Sequence, residues 1–208
     1  LENVSGPSGP DTDPLTRPVL AAVDDNGQAL VVWYERQPAI SGPLRRMTSR
    51  RNAAGWSVPL IVAPGVAGRE PSQARLAMDP VSGRAMLVWK QPNGRTDQGR
   101  AGSDVLSSAF DPAAGWGPIT AVETLDGAAD GDLRIGMDGS GRAVAVWEHD
   151  PDGVGTQPNN VYASRHVPGS GWSPVTNVSR EYGAFANARV GVAADGAAGR
   201  VGGAFGAS

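Results

Sequence analysis

Ala22-Val23-Asp24-Asp25-Asn26-Gly27-Gln28-Ala29-Leu30-Val31-Val32-Trp33 is the stretch that decides the fold, because it returns further along the chain. It recurs as Ala77-Met78-Asp79 through Gly83-Arg84-Ala85-Met86-Leu87-Val88-Trp89, and as Gly136-Met137-Asp138 through Gly141-Arg142-Ala143-Val144-Ala145-Val146-Trp147. A fourth copy follows in Val192 to Asp195, Gly199, Arg200 and Phe205. The closing aromatics stand at 33, 89, 147 and 205, at intervals of 56, 58 and 58, and self-similarity at a fixed period is the mark of a repeat architecture. Each copy reads as a short strand, a tight turn carrying Asp and Gly, and a β-branched strand ending in an aromatic, which is a hairpin.

A second motif follows at a steady distance. Met47-Thr48-Ser49-Arg50 leads to Gly55-Trp56-Ser57-Val58-Pro59, Leu106-Ser107-Ser108-Ala109-Phe110 to Gly115-Trp116-Gly117-Pro118, and Tyr162-Ala163-Ser164-Arg165 to Gly171-Trp172-Ser173-Pro174. This is a second hairpin: the Gly suits a turn with positive φ, and the Pro suits an outer edge strand, where a missing N–H costs no ladder bond. Naming the strands A to D in order, each unit has four antiparallel strands and no helical periodicity. The fold class is therefore all-β, and four-stranded units stacked face to face make a β-propeller. Three full repeats run over about 18–70, 71–131 and 132–186. One such sheet leaves both faces open, so Trp33, Trp89 and Trp147 are expected in the core between neighbouring units.

The partial fourth unit, 187–208, lacks strands C and D, while Glu2-Asn3-Val4-Ser5 matches Thr176-Asn177-Val178-Ser179 of the third D strand. The expectation is a blade split between the two termini, closed within one chain or by a second copy in a homo-oligomer, or else a piece of a larger ring. The two Asn-x-Ser sequences fit the glycosylation pattern, but their correspondence across the repeat explains them as parts of strand D.

Composition narrows the function. The 208 residues include 29 Gly and 17 Pro, as many short elements joined by turns require. A net charge of -3, from 18 basic and 21 acidic residues spread along the chain, gives no basic stripe for a nucleic acid. No apolar run approaches a membrane span. With no cysteine, disulfides, thiolate metal sites and cysteine nucleophiles are excluded.

The repeat resembles the blades of bacterial secreted, sialidase-like propellers and, more loosely, the fucose-binding propeller lectins, which also place Gly-Trp near the last strand. That resemblance implies an exported protein, secreted or held at the cell envelope, with a glycan or another protein as partner. The sialidase Asp-box Ser-x-Asp-x-Gly-x-Thr-Trp is absent, and Tyr34, Tyr162 and Tyr182 are the only tyrosines available for a nucleophile, so no catalytic set is assigned. Sugar-stacking aromatics are then expected at Trp56, Trp116 and Trp172, beside the outer Gly turns. Asp25, Asp79, Asp138 and Asp195 recur in the first turn and are read as turn caps rather than calcium ligands. Asp126, Asp130 and Asp132 form a solvated acidic loop with too few oxygens for calcium. His149 and His166 each stand alone, which gives no zinc site. No cofactor or metal is expected. The leading reading is a non-catalytic binding or interaction module. The alternatives are a partial or degenerate sialidase-like glycoside hydrolase and a structural repeat subunit of an assembly.

Overall fold

A computed structural model describes residues 19–36, 42–97, 100–125, 127, 131–150, 160–179, 189–195 and 200–206. The Asp and Gly turn closes the first hairpin of each repeat because the Asp side chain caps it. Asp24 Oδ1 accepts from the N–H groups of Asn26 (2.9 Å) and Gln28 (2.8 Å), Asp79 Oδ1 from Val81 (2.9 Å), and Asp138 Oδ1 from Ser140 (2.8 Å) and Arg142 (3.0 Å). Gly27, Gly83 and Gly141 supply the positive φ that the turn needs, at 74°, 68° and 76°. The first repeat's cap is thus Asp24, buried, and not the exposed Asp25 that the pattern suggested. An Asx cap must sit two residues before the amide it holds, and only Asp24 does so. Asp25 instead donates its backbone N–H to Pro80 O of the next repeat's turn, at 2.8 Å. Asp195 ends a strand, and the turn after it lies outside the described residues.

The first sheet holds β1 (Leu20–Val23), β2 (Ala29–Arg36), β3 (Leu44–Asn52), β4 (Gly55–Trp56) and β5 (Leu60–Ala63). The second holds β6 (Ser72–Met78), β7 (Ala85–Asp97), β8 (Arg100–Asp111), β9 (Gly115–Trp116) and β10 (Thr120–Ala121). The third holds β11 (Leu133–Met137), β12 (Ala143–His149), β13 (Asn160–Val167), β14 (Gly171–Trp172) and β15 (Thr176–Asn177). β16 (Arg189–Asp195) and β17 (Arg200–Gly206) form a fourth, two-stranded sheet. All pairing is antiparallel and no helix occurs among the described residues. The first strands of successive sheets, β1, β6, β11 and β16, lie side by side, so the sheets fan out from one edge. The closure expected of residues 2–5 falls outside the described residues.

Strand D is broken in each full repeat. β4, β9 and β14 pair with the end of strand C, and the chain then leaves the ladder at its Pro before pairing again as β5, β10 and β15. One serine bridges each break: Ser49 Oγ donates to Ser57 O (2.8 Å), Ser108 Oγ to Gly117 O (2.9 Å) and Ser164 Oγ to Ser173 O (2.8 Å). All three serines are buried. Each Ser→Ala change is expected to cost about 1 kcal/mol in urea unfolding, and the triple variant about the sum, because the sites lie in separate sheets.

The core lies between the sheets. Met86, Val88 and Val105 of the second meet Leu133, Ala145 and Trp147 of the third, while Val32, Tyr34 and Leu44 of the first meet Ala74, Leu87 and Trp89. Trp89 and Trp147 are fully buried at 0% exposure, as expected. Trp33, at 4%, is buried on the face of the first sheet turned away from the second, since its neighbour Val32 takes the other face.

Candidate functional site

Ladder register brings equivalent residues of successive sheets to equivalent places. On strand C, Arg50 pairs with Leu30, Ala109 with Met86 and Arg165 with Val144. At the turn end of the second and third sheets, the short Ala109 side chain leaves an open cleft of about 400 Å³. Met86 and Met137 give it apolar surface; His166 and Pro168 border it from the third sheet, and residues 114–117 of the outer hairpin from the second. Its polar rim is one ion pair, Arg84 Nε to Asp111 Oδ2 at 3.1 Å. The backbone N–H groups of Ala113 and Ala114, with Arg84 beside it, hold the Asp111 carboxyl below its usual range. Burial lowers the pKa of His166, against a backbone hydrogen bond at Gly141, so its ring is neutral at neutral pH. The cleft is therefore an apolar pocket with a paired donor and acceptor at its mouth. Its size is that of a small-molecule site.

The three outer tryptophans do not share one site. Trp116 packs on Phe110 with ring centroids 5.3 Å apart, on the face of the second sheet turned toward the first. Trp172 packs on His166 at 5.2 Å and donates its indole N–H to Ser107 Oγ of the second sheet at 2.8 Å. It lines a separate surface hollow with Glu123 and Val175. Trp56 is half-buried, its backbone paired to Arg51. Gly55, Gly115 and Gly171 have the expected positive φ, at 107°, 83° and 80°.

The opposite end of the sheets carries buried charge that composition and motifs did not single out. The Arg46 guanidinium, fully buried, lies 5.0 Å from the Tyr34 ring and 4.6 Å from the Trp89 ring, and donates to Tyr34 Oη at 3.1 Å. Arg45 pairs with Glu35 at 2.6 Å and Arg36 with Glu70 at 2.7 Å, while Lys90 Nζ donates to Gly131 O at 2.7 Å. Glu123 accepts from the N–H groups of Val105 (2.8 Å) and Leu125 (2.7 Å), and burial pushes its pKa up to about 7. Ser179 occupies the matching place in the third repeat, its Oγ accepting the Val161 N–H at 3.0 Å, so this position ties the end of strand D to strand C. A sequence signal was present: each B strand runs without a break from its Trp into charged residues, as in Trp33-Tyr34-Glu35-Arg36 and Trp147-Glu148-His149-Asp150.

Of the acidic loop, Asp126 and Asp130 lie outside the described residues, and Asp132 is taken up by Arg134 and by Arg75 at 3.4 Å. His149 is buried against the Tyr162 ring at 5.3 Å, in a different place from His166. Among the described residues, no group of three His, Asp or Glu side chains is placed to hold a metal ion.

Fan-stacked antiparallel sheets with a cleft between two of them define an all-β protein of propeller-like construction. No family model matches the chain, and no curated protein matches it in sequence. Solved structures align with it at low identity. The Hadza microbial sialidase Hz136 aligns with a TM-score of 0.52 at 11% identity, over 75% of this chain and 36% of its own. The PL25 ulvan lyase bound to an oligosaccharide aligns at 0.49 and 14% identity, over 85% and 47%. The NanB sialidase from Streptococcus pneumoniae aligns at 0.47 and 8%, over 89% and 47%. The chain thus spans well under two thirds of each of these proteins. The likeness to the Hadza sialidase supports a sialidase-like propeller fold.

Proposed function

We propose that this chain is a non-catalytic glycan-binding module of an exported bacterial protein. The observation that carries the reading is the cleft at Ala109. Its apolar surface, formed by Met86 and Met137 beside the His166 ring, suits the C–H face of a sugar ring, and the Arg84 and Asp111 pair at its rim offers a donor and an acceptor to neighbouring hydroxyls. The solved proteins with similar folds include a sialidase, described as such, which agrees with a carbohydrate-related role. The buried acid with a pKa near neutrality, Glu123, does not favour a hydrolase, because both its oxygens are held by backbone N–H groups.

A glycan array followed by calorimetry tests the proposal. A retained glycan is expected to lose at least about tenfold in affinity on the double change Arg84→Gln and Asp111→Asn, as removal of its hydrogen-bond partners requires. Saturable hydrolysis of fluorogenic glycosides that disappears on mutating an acid at the opposite end of the sheets would show the module to be an enzyme.

A further inference from the structure

The same arrangement recurs at the junction of the first and second sheets, and there a side chain crosses it, leaving an open hollow along Gln28, Arg50 and Asn52 of the first sheet. Leu30 stands where Met86 stands, Met78 where Met137 stands, and Gly83 where Gly141 stands, each fixed by its place in the ladder or turn. Phe110 matches His166, paired with Ala85 and Ala143 respectively. What differs is strand C: Arg50 in the first sheet, Ala109 in the second. The Arg50 side chain crosses the junction, donates from Nη1 to Pro112 O of the second sheet at 2.6 Å and from Nη2 to Gln28 Oε1, and lays its guanidinium over the Phe110 ring at 5.6 Å.

We infer that the first junction is a second glycan site that the protein plugs with its own Arg50, and that Ala109 makes the neighbouring junction the open one. This rests on the glycan reading of the Ala109 cleft. The plug copies what a ligand would do: a flat group lies on the aromatic side chain at the base and donates a hydrogen bond to the turn carbonyl. A sugar ring does both with one C–H face and one hydroxyl. The ligand class is a neutral pyranose with vicinal hydroxyls, because the rim charges of the open cleft, Arg84 and Asp111, are paired with each other. A second cation is disfavoured there by Arg84, which takes the place of Gln28 in the plugged junction.

The test uses the whole chain labelled with 4-fluorophenylalanine, which gives a ¹⁹F signal for Phe110 among three phenylalanines. In Arg50→Ala and Arg50→Ser, the Phe110 signal is expected to become sensitive to a dissolved paramagnet, while the dispersion of the other signals shows the fold intact. Calorimetry with neutral methyl glycosides is expected to give one molecule bound per wild-type chain and two per Arg50→Ala chain. Ala109→Arg is expected to weaken binding by at least about tenfold, as filling a pocket does. A Phe110 signal unmoved in both Arg50 variants overturns the plug, whatever sugars do. A signal that opens while the stoichiometry stays at one overturns the second site. Tighter binding of uronic or sialic acids than of neutral sugars overturns the ligand class alone. If no glycan binds either protein, the glycan reading falls, the second site falls with it, and the plug is judged by the Phe110 signal.

Discussion

Trp147→Ala is expected to destabilise the protein by about 3–5 kcal/mol, the range for removing a large aromatic from a packed core. Trp147 has 0% exposure and packs among Met86, Val88, Leu133 and Ala145, where the second and third sheets meet. Among the described residues its indole N–H has no hydrogen-bond partner, so the loss is one of apolar contact and of the void left behind. Trp89→Ala should cost a similar amount and also remove one of the two rings that flank the Arg46 guanidinium. Urea unfolding followed by circular dichroism measures both, and a loss under about 1 kcal/mol at each site would mean that the sheets do not pack through these strands.

The second large effect is a loss of stability as pH rises, set by Glu123. Its folded pKa, about 7, lies above the reference value of 4.5, with burial as the main cause and Asp104 adding to it; the backbone bonds and Lys90 oppose the shift. A raised carboxyl pKa stabilises the fold fully below pH 4.5, where both states are protonated. The contribution fades as the unfolded chain ionises and is gone above about pH 7. Over that window the loss is on the order of 3 kcal/mol, at about 1.36 kcal/mol for each pH unit between 4.5 and about 7. Paired surface carboxylates act in the opposite direction, so the informative quantity is the difference between wild type and a variant. Glu123→Gln should be less stable than wild type at pH 4.5 and equal or superior at pH 8. Glu123→Ser should behave similarly, since Ser179 already serves at that place in the third repeat. Equal losses at both pH values would contradict the assignment.

Much of the fold was legible because the repeat is written in residues that act locally. The turn Asp and Gly, the Gly before each outer Trp, and the apolar B strand each specify a hairpin from their own few residues, and the ladders form where that pattern places them. Asp24 was missed because two adjacent aspartates satisfy the same loose pattern, and only the geometry of the cap chooses between them. The long β7–β8 hairpin was not legible, because the B-strand pattern ends at its aromatic, Trp89, while the ladder continues past Pro92. The proline is accommodated where the register shifts between Pro92 and Thr96. The candidate cleft was not legible at all. It depends on Ala109 lying opposite Met86 while Arg50 lies opposite Leu30, a correspondence across ladders that the spacing of the tryptophans does not reveal, since strand C is offset by a different number of residues from strand B. The outer tryptophans drew attention in the sequence, yet their rings are engaged with Phe110, in the case of Trp116, and with His166, in the case of Trp172.

A crystal structure of the chain with a glycan retained from the array decides whether the Ala109 cleft is the binding site. Sugar density is expected between the second and third sheets, against Ala109 and His166, with adjacent hydroxyls on Arg84 and Asp111. Density at the other end of the sheets, among Lys90, Glu123 and His149, would contradict that placement.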